Sequence, residues 1–200
     1  MCDRVTGLTV AHHVLGGRGA TVWFTGLPAS GKSTLARAVG DLLGAGGMPS
    51  CWLDGDALRA GLCSDLDFSA AGRRENVRRV LEVALVVAGS GLVSLVSLVS
   101  PFADGRARAR ACHEERGVPF LEVWMSTPQQ ECERRDPKGL YARARRGEVQ
   151  GMTGLSDPYE VPPHPDLAID ASKTPVGEAA RLVLDRLALL RSLPAAAAGG

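Results

Sequence analysis

Residues 26–33 read GLPASGKS, a match to the pattern GxxxxGK[ST]. A β-branched and aromatic run, ATVWFT at 20–25, precedes them and predicts a buried strand. The stretch 32–43, KSTLARAVGDLL, follows with apolar residues at helical spacing and stops at Gly-Ala-Gly-Gly. Strand, glycine-rich loop and helix in this order are what phosphate binding needs. The glycines let the backbone curl until successive N–H groups face phosphate oxygens, and the helix N-terminus adds its dipole. Lys32 supplies a charge to the outer phosphates, and Ser33 offers a hydroxyl to Mg²⁺. The candidate nucleotide contacts are therefore Gly26, Leu27, Pro28, Ala29, Ser30, Gly31, Lys32, Ser33 and Thr34. A glycine-rich turn without a ligand is the competing reading, and the flanking strand and helix count against it.

The rest of the chain alternates in the same way. Strands are expected at 51–53, 92–99, 120–125 and 167–169, and helices at 73–88, 104–116 and 176–190. Alternation of this kind implies an α/β protein with three layers, a mainly parallel five-stranded sheet and helices on both faces. The 200 residues suit one domain, assigned to 20–192, with an N-terminal extension at 1–19 and a disordered tail at 193–200.

Lysine and arginine total 23 against 22 acids, a net charge of +1, and aromatic residues make up 4%. Neither nucleic acid nor a membrane surface is indicated as a partner. Cys2, Cys51, Cys63, Cys112 and Cys132 are scattered with no CxxC pair, so they are read as reduced thiols in a cytoplasmic protein. The N-terminus has no secretory pattern. His12 and His13 have no further ligands near them in sequence and are read as surface or packing residues.

No Asn-Lys-x-Asp base reader of a GTPase is present, and the chain is short for a motor or transporter ATPase. The segment 133–148, ERRDPKGLYARARRGE, concentrates Arg134, Arg135, Lys138, Arg143, Arg145 and Arg146 around Pro137 and Gly139. A mobile basic lid suits phosphoryl transfer, where charge on the migrating group is neutralised and water excluded. A solvated charged helix is the plainer alternative.

The motifs TVWFTGLPASGKSTLA, LDGDALRAGL, DFSAAGRRENVRRV, SPFADGR, ERRDPKGLYARAR and TGLSDPYEVP occur in this order over residues 22–175. Together they resemble the adenylylsulfate kinase family. The resemblance implies a P-loop kinase that uses ATP and Mg²⁺. Its acceptor would be the ribose 3′-hydroxyl of adenosine 5′-phosphosulfate (APS), giving 3′-phosphoadenosine 5′-phosphosulfate (PAPS) and ADP. A homodimer is implied as well.

Asp54 and Asp56 stand two apart at the end of the second strand, so in an extended chain both face one way. One would hold the Mg²⁺ shell, taken as Asp54 with Ser33. The other, Asp56, would orient or deprotonate the acceptor hydroxyl. Either could instead cap the helix that follows. By resemblance, Asp56, Arg59, Phe68, Arg73, Asn76, Val99, Ser100, Lys138 and Met152 belong to the acceptor side, with Phe68 and Met152 enclosing the adenine. Plain core packing is the alternative for Phe68. Arg135 and Thr174 are candidates for the adenine side of ATP. Lys32, Asp56 and Ser100 are the candidate catalytic residues.

Departures from the family pattern gather near the acceptor: Ala57 and Cys63 for asparagine, Gly72 for aspartate, Ala103 for arginine and Met152 for phenylalanine. They leave two readings besides neutral drift: a related kinase acting on another hydroxyl, or a nucleotide-binding module without activity.

Residues 92–100 repeat Leu-Val-Ser three times before Pro101. Strand alternation puts Leu92, Ser94, Val96, Leu98 and Ser100 on one face and Val93, Leu95, Ser97 and Val99 on the other. Ser94 and Ser97 are expected to be structural, bonding backbone. Ser100 ends the strand where ligands bind in open α/β sheets. The resemblance attaches a phosphoserine intermediate to Ser100; in-line transfer needs no covalent enzyme, so a positioning role is expected.

Overall fold

A computed structural model describes residues 19–192. Cys2, His12, His13, nearly all of the expected N-terminal extension and the 193–200 tail lie outside the described residues. The apolar run before the phosphate loop forms β1 (Ala20–Gly26), buried along its whole length. A strand with no polar alternation has to be covered on both faces. β1 accordingly takes the centre of a five-stranded sheet with β2 (Ser50–Asp54), β3 (Val93–Ser97), β4 (Phe120–Met125) and β5 (Leu167–Ile169). The spatial order is β2-β3-β1-β4-β5, and every pairing is parallel.

Val22, Phe24 and Leu95 face α1 (Lys32–Ala45) and α7 (Val176–Ser192), where Leu35, Val39, Val183 and Leu187 complete one core. Trp23 and Val96 point the other way, to Val80, Leu81 and Ala109 of α3 (Ala70–Gly89) and α4 (Ala103–Glu115). Each such large side chain contributes roughly 1.5–3 kcal/mol of burial free energy. A third cluster, Cys132, Tyr141 and Met152, joins α5 (Gln129–Arg135) and α6 (Leu140–Arg145) to Leu27 and Ala29 of the phosphate loop. None of the described helices is long and apolar enough to cross a membrane.

Several boundaries differ from expectation. β3 ends at Ser97, before Val99, because the Thr25 hydroxyl takes the Val99 carbonyl at 2.8 Å and Ser100 turns to a positive φ of 38°. α3 starts at Ala70, three residues early, because the Ser69 side chain accepts the Gly72 N–H at 3.0 Å and caps the helix. Residues after Asp54 coil at once into α2 (Gly55–Ala60).

Cys51, Cys63 and Cys132 are free thiols.

Candidate active site

The loop between β1 and α1 has the backbone its sequence demands. Gly26 and Gly31 have φ of 146° and 102°. A Cβ on Gly26 would lie 2.9 Å from both the Met125 carbonyl and the Ser30 hydroxyl. Ala29 also takes a left-handed φ of 60°. α1 starts with no side-chain cap, so its first N–H groups remain directed at the loop. The Lys32 ammonium donates to the carbonyls of Gly26 at 2.9 Å and Leu27 at 2.6 Å. Its burial lowers the pKa to about 7, opposed by the neighbouring Cys132 thiol and Asp54. Ser30 and Pro28 anchor the loop from behind: the Ser30 carbonyl accepts from Thr127 at 2.9 Å and the Pro28 carbonyl from Tyr141 at 3.2 Å. Beside the loop, Gly31, Thr34, Met125, Arg135, Ala171 and Thr174 line a cleft of about 120 Å³. Arg135 is fixed there by Glu131 at 2.8 Å and the Ala171 carbonyl at 2.9 Å.

Asp54 both caps a helix and meets the loop. Its Oδ1 accepts the N–H groups of Asp56 at 3.1 Å and Ala57 at 3.4 Å. Its Oδ2 accepts the Ser33 hydroxyl at 2.9 Å and the Ser97 hydroxyl at 3.1 Å. Among the described residues no group of three or more His, Cys, Asp and Glu side chains could hold a metal. A serine hydroxyl beside one carboxylate is nevertheless the donor set that suits Mg²⁺, which keeps waters and takes phosphate oxygens. The residues therefore fit the ion, which Ser33 and Asp54 would hold.

Asp56 does not share a strand face with Asp54. The chain is already helical there, and the Asp56 carboxylate points to Lys138, with which it forms an ion pair. Nearby, Phe68 is 61% exposed, with the guanidinium of Arg59 4.5 Å from its ring centroid and that of Arg73 5.7 Å away. An aromatic face flanked by two guanidiniums is a surface for a planar, anionic ligand. Arg59 is held by the carbonyls of Leu66 and Asp67 at 2.9 and 2.7 Å. Arg73 donates to Phe68 O at 2.8 Å, to Thr153 Oγ1 at 2.8 Å and to the Gly151 carbonyl. Asn76, one turn on, is buried and its Oδ1 has no hydrogen-bond partner. Met152 is 5% exposed and packed into the cluster with Tyr141 and Cys132.

The arginines of the 133–148 segment are mostly paired within it or with adjacent acids: Arg134 with Glu131, Arg145 with Glu133, and Arg143 and Arg146 with Glu148. Lys138 alone of this segment's cations reaches the Asp56 carboxylate.

Ser100 is 3% exposed, and its hydroxyl sits between the Trp23 indole N–H at 3.0 Å and Thr25 Oγ1 at 3.1 Å. Its carbonyl accepts from Arg106 at 2.6 Å. The Ser97 hydroxyl bonds side chains and not backbone, contrary to expectation. Ser97 is the register partner of Asp54, so its hydroxyl meets the carboxylate, and the Trp52 indole donates to it at 2.9 Å.

Sequence reasoning missed Trp52, Ser97, Arg106 and Glu160. Buried Arg106 ties Ser100 to the Glu160 carbonyl at 2.5 Å and to the Glu122 carboxylate at 3.0 Å. The Glu160 carboxylate caps α4 by accepting Ala103 N–H at 2.6 Å. A charged residue inside the motif SPFADGR was the one available signal for Arg106.

The family model for adenylylsulphate kinase matches residues 18–170. The bifunctional enzyme CysN/CysC of Mycobacterium tuberculosis is 49% identical over 170 residues, 85% of this chain. The chain spans 28% of that enzyme's length. The adenylyl-sulfate kinase of Shewanella pealeana is 48% identical over 85% of this chain and 82% of its own length. The solved structure of the M. tuberculosis APS kinase CysC in complex with AMPPNP and APS superposes with a TM-score of 0.83 at 49% identity, covering 86% of this chain and 99% of that one.

Proposed function

The chain belongs to the adenylylsulphate kinase family, and on that premise we propose that it transfers the γ-phosphoryl group of ATP to the ribose 3′-hydroxyl of APS, releasing PAPS and ADP. The observation that carries the reading is the junction of two half-sites. The phosphate loop and the Asp54–Asp56 turn are joined by the Ser33–Asp54 hydrogen bond at 2.9 Å. The Arg59–Phe68–Arg73 group is joined to the 151–153 segment through Arg73, Gly151 and Thr153.

Roles follow from this arrangement. Lys32 leaves the loop carbonyls for the outer phosphates, whose charge favours its protonated form. Ser33 and Asp54 hold Mg²⁺, which neutralises charge on the phosphates when bound. Asp56 takes the hydroxyl proton as the 3′-oxygen bonds to the γ-phosphorus and the bond to the β-phosphate oxygen breaks. Lys138 stays at the same place as a counter-charge. Phe68 stacks on the adenine, and Arg59 and Arg73 meet the phosphosulfate. Asn76, Val99 and Met152 complete the acceptor wall, and Arg135 and Thr174 the adenine side of ATP. Ser100 positions the turn that follows β3; its buried, doubly bonded hydroxyl supports that part over a covalent one. A homodimer and a cytoplasmic location are included in the proposal.

The test is an assay of purified protein with MgATP and APS, with PAPS and ADP separated by chromatography. PAPS formed in step with ADP is expected. ADP release with another hydroxyl compound and none with APS would replace the acceptor. Failure to release ADP with any acceptor tried would leave only nucleotide binding.

A further inference from the structure

The Leu-Val-Ser repeat delivers Ser97 to an unexpected place. Parallel pairing of β2 with β3 puts Ser97 beside Asp54 and Leu95 beside Trp52. Residues two apart on a strand share a face, so Trp52 and Asp54 both lie on the α1 side, next to Ser97. The indole N–H of Trp52 donates to Ser97 Oγ at 2.9 Å. An indole nitrogen only donates, so the serine must accept there, and its own proton goes to Asp54 Oδ2 at 3.1 Å. The direction of the chain is thereby fixed: Trp52 to Ser97 to Asp54. The same Oδ2 receives the Ser33 hydroxyl at 2.9 Å, while Oδ1 is occupied by two backbone N–H groups. Arg37 of α1 lies with its guanidinium 5.2 Å from the Trp52 ring centroid and holds the indole from outside.

From this chain of contacts we infer that Ser97 and Trp52 are positioning residues for Mg²⁺: they fix the plane and orientation of the Asp54 carboxylate beside Ser33. Neither touches substrate. They act as outer partners of an ion-holding carboxylate, and such partners set both ligand orientation and ion affinity. The inference rests on the assignment of Ser33 and Asp54 to Mg²⁺, but not on the identity of the acceptor. Alternate Leu-Val-Ser repeats therefore have unequal fates. Ser94 is buried with its hydroxyl unpartnered, whereas Ser97, the last residue of β3, serves the carboxylate at the end of β2.

The test compares wild type with Ser97→Ala, Trp52→Phe and Ser97→Thr, using the full chain. Calorimetry measures ADP affinity with and without Mg²⁺, and thermal melting checks the fold. Ser97→Ala is expected to cut the Mg²⁺-dependent gain in ADP affinity about tenfold, the worth of one hydrogen bond to a charged group. ADP affinity without Mg²⁺ and KM for APS should stay at wild-type values. Trp52→Phe should move the same quantity by less, and Ser97→Thr, which keeps the hydroxyl, should restore it. Equal losses with and without Mg²⁺ would make the pair a structural tie and overturn the inference, as would no loss at all. If Ser97→Ala does not fold, Trp52→Phe decides by the same criterion. A protein that shows the Mg²⁺ effect but makes no PAPS would sink the proposed acceptor and leave this inference standing.

Discussion

Replacing Gly72 by alanine puts a methyl group where Asp67 already is. A Cβ on residue 72 would lie 2.6 Å from the Asp67 carbonyl oxygen and 2.3 Å from its Oδ1. Ordinary contact begins near 3.4 Å, so the carbonyl alone must retreat by about 0.8 Å. The helix side cannot yield easily. Ser69 holds the Gly72 N–H at 3.0 Å, and Val77 and Val80 further along α3 are in the core. The retreat falls on the Asp67–Phe68 segment. Asp67 O is the acceptor for Arg59 at 2.7 Å, and Phe68 O for Arg73 Nε at 2.8 Å. Both guanidiniums flank the ring proposed to stack on the acceptor base. Losing one such bond to a charged group, or misplacing the ring by about 1 Å, predicts a rise in KM for APS of about 10- to 100-fold. Overpacking adds a stability cost of about 1–3 kcal/mol. Steady-state kinetics with each substrate varied in turn, together with a melting curve, reads both. KM for ATP should stay within about twofold of wild type, since the phosphate loop and the Arg135 cleft are built from other elements. A lowered melting temperature with KM for APS unchanged, or equal shifts in both KM values, would refute the reasoning. It would show that the segment bearing Phe68 does not set acceptor affinity.

Two further outcomes concern buried groups away from the acceptor. His113 is fully buried; Nδ1–H donates to Ala109 O at 2.7 Å, and Nε2 accepts the Thr21 hydroxyl at 2.8 Å. Burial lowers its pKa to about 4, so between pH 4 and the ordinary 6.5 the unfolded chain binds the extra proton. Its stabilisation is complete above pH 6.5 and fades as the pH falls toward 4, by about 2 kcal/mol between pH 7.5 and 5. Urea unfolding at both pH values should show His113→Gln with a correspondingly flatter dependence; an unchanged slope would refute the assignment. Arg106→Met leaves the buried Glu122 carboxylate with only the longer Arg110 contact at 3.8 Å and frees the carbonyls of Ser100 and Glu160, a loss of about 3–5 kcal/mol in denaturant unfolding. A loss below about 1 kcal/mol would show that the network is not holding this turn.

Local chemistry was legible from the chain alone. GLPASGKS requires positive φ at Gly26 and Gly31 and an uncapped helix at Lys32, and those needs arise within a few bonds of each residue. The unbroken apolar run of β1 required a covered central strand, and the alternation of strand and helix required parallel pairing. Ordered motifs over 22–175 were enough to point to the kinase family.

Side-chain partnerships were decided elsewhere. Whether Ser97 met backbone or a carboxylate depended on how β3 registers against β2, a quantity no stretch of either strand contains. Asp56 parted from Asp54 because Asp54 captured the next N–H groups and coiled the chain. The arginines of 133–148 looked like a free positive lid; Arg134 pairs one turn back with Glu131, a contact readable from spacing, whereas Arg145 reaches Glu133 and Lys138 reaches Asp56 only through packing between elements. Arg106 became a buried tie because α4 lies against both Ser100 and the Glu160 loop. Backbone preferences act over a few residues and can be read locally. The partners of Ser97, Asp56 and Arg106 are chosen between elements, and only the assembled layers bring them within reach.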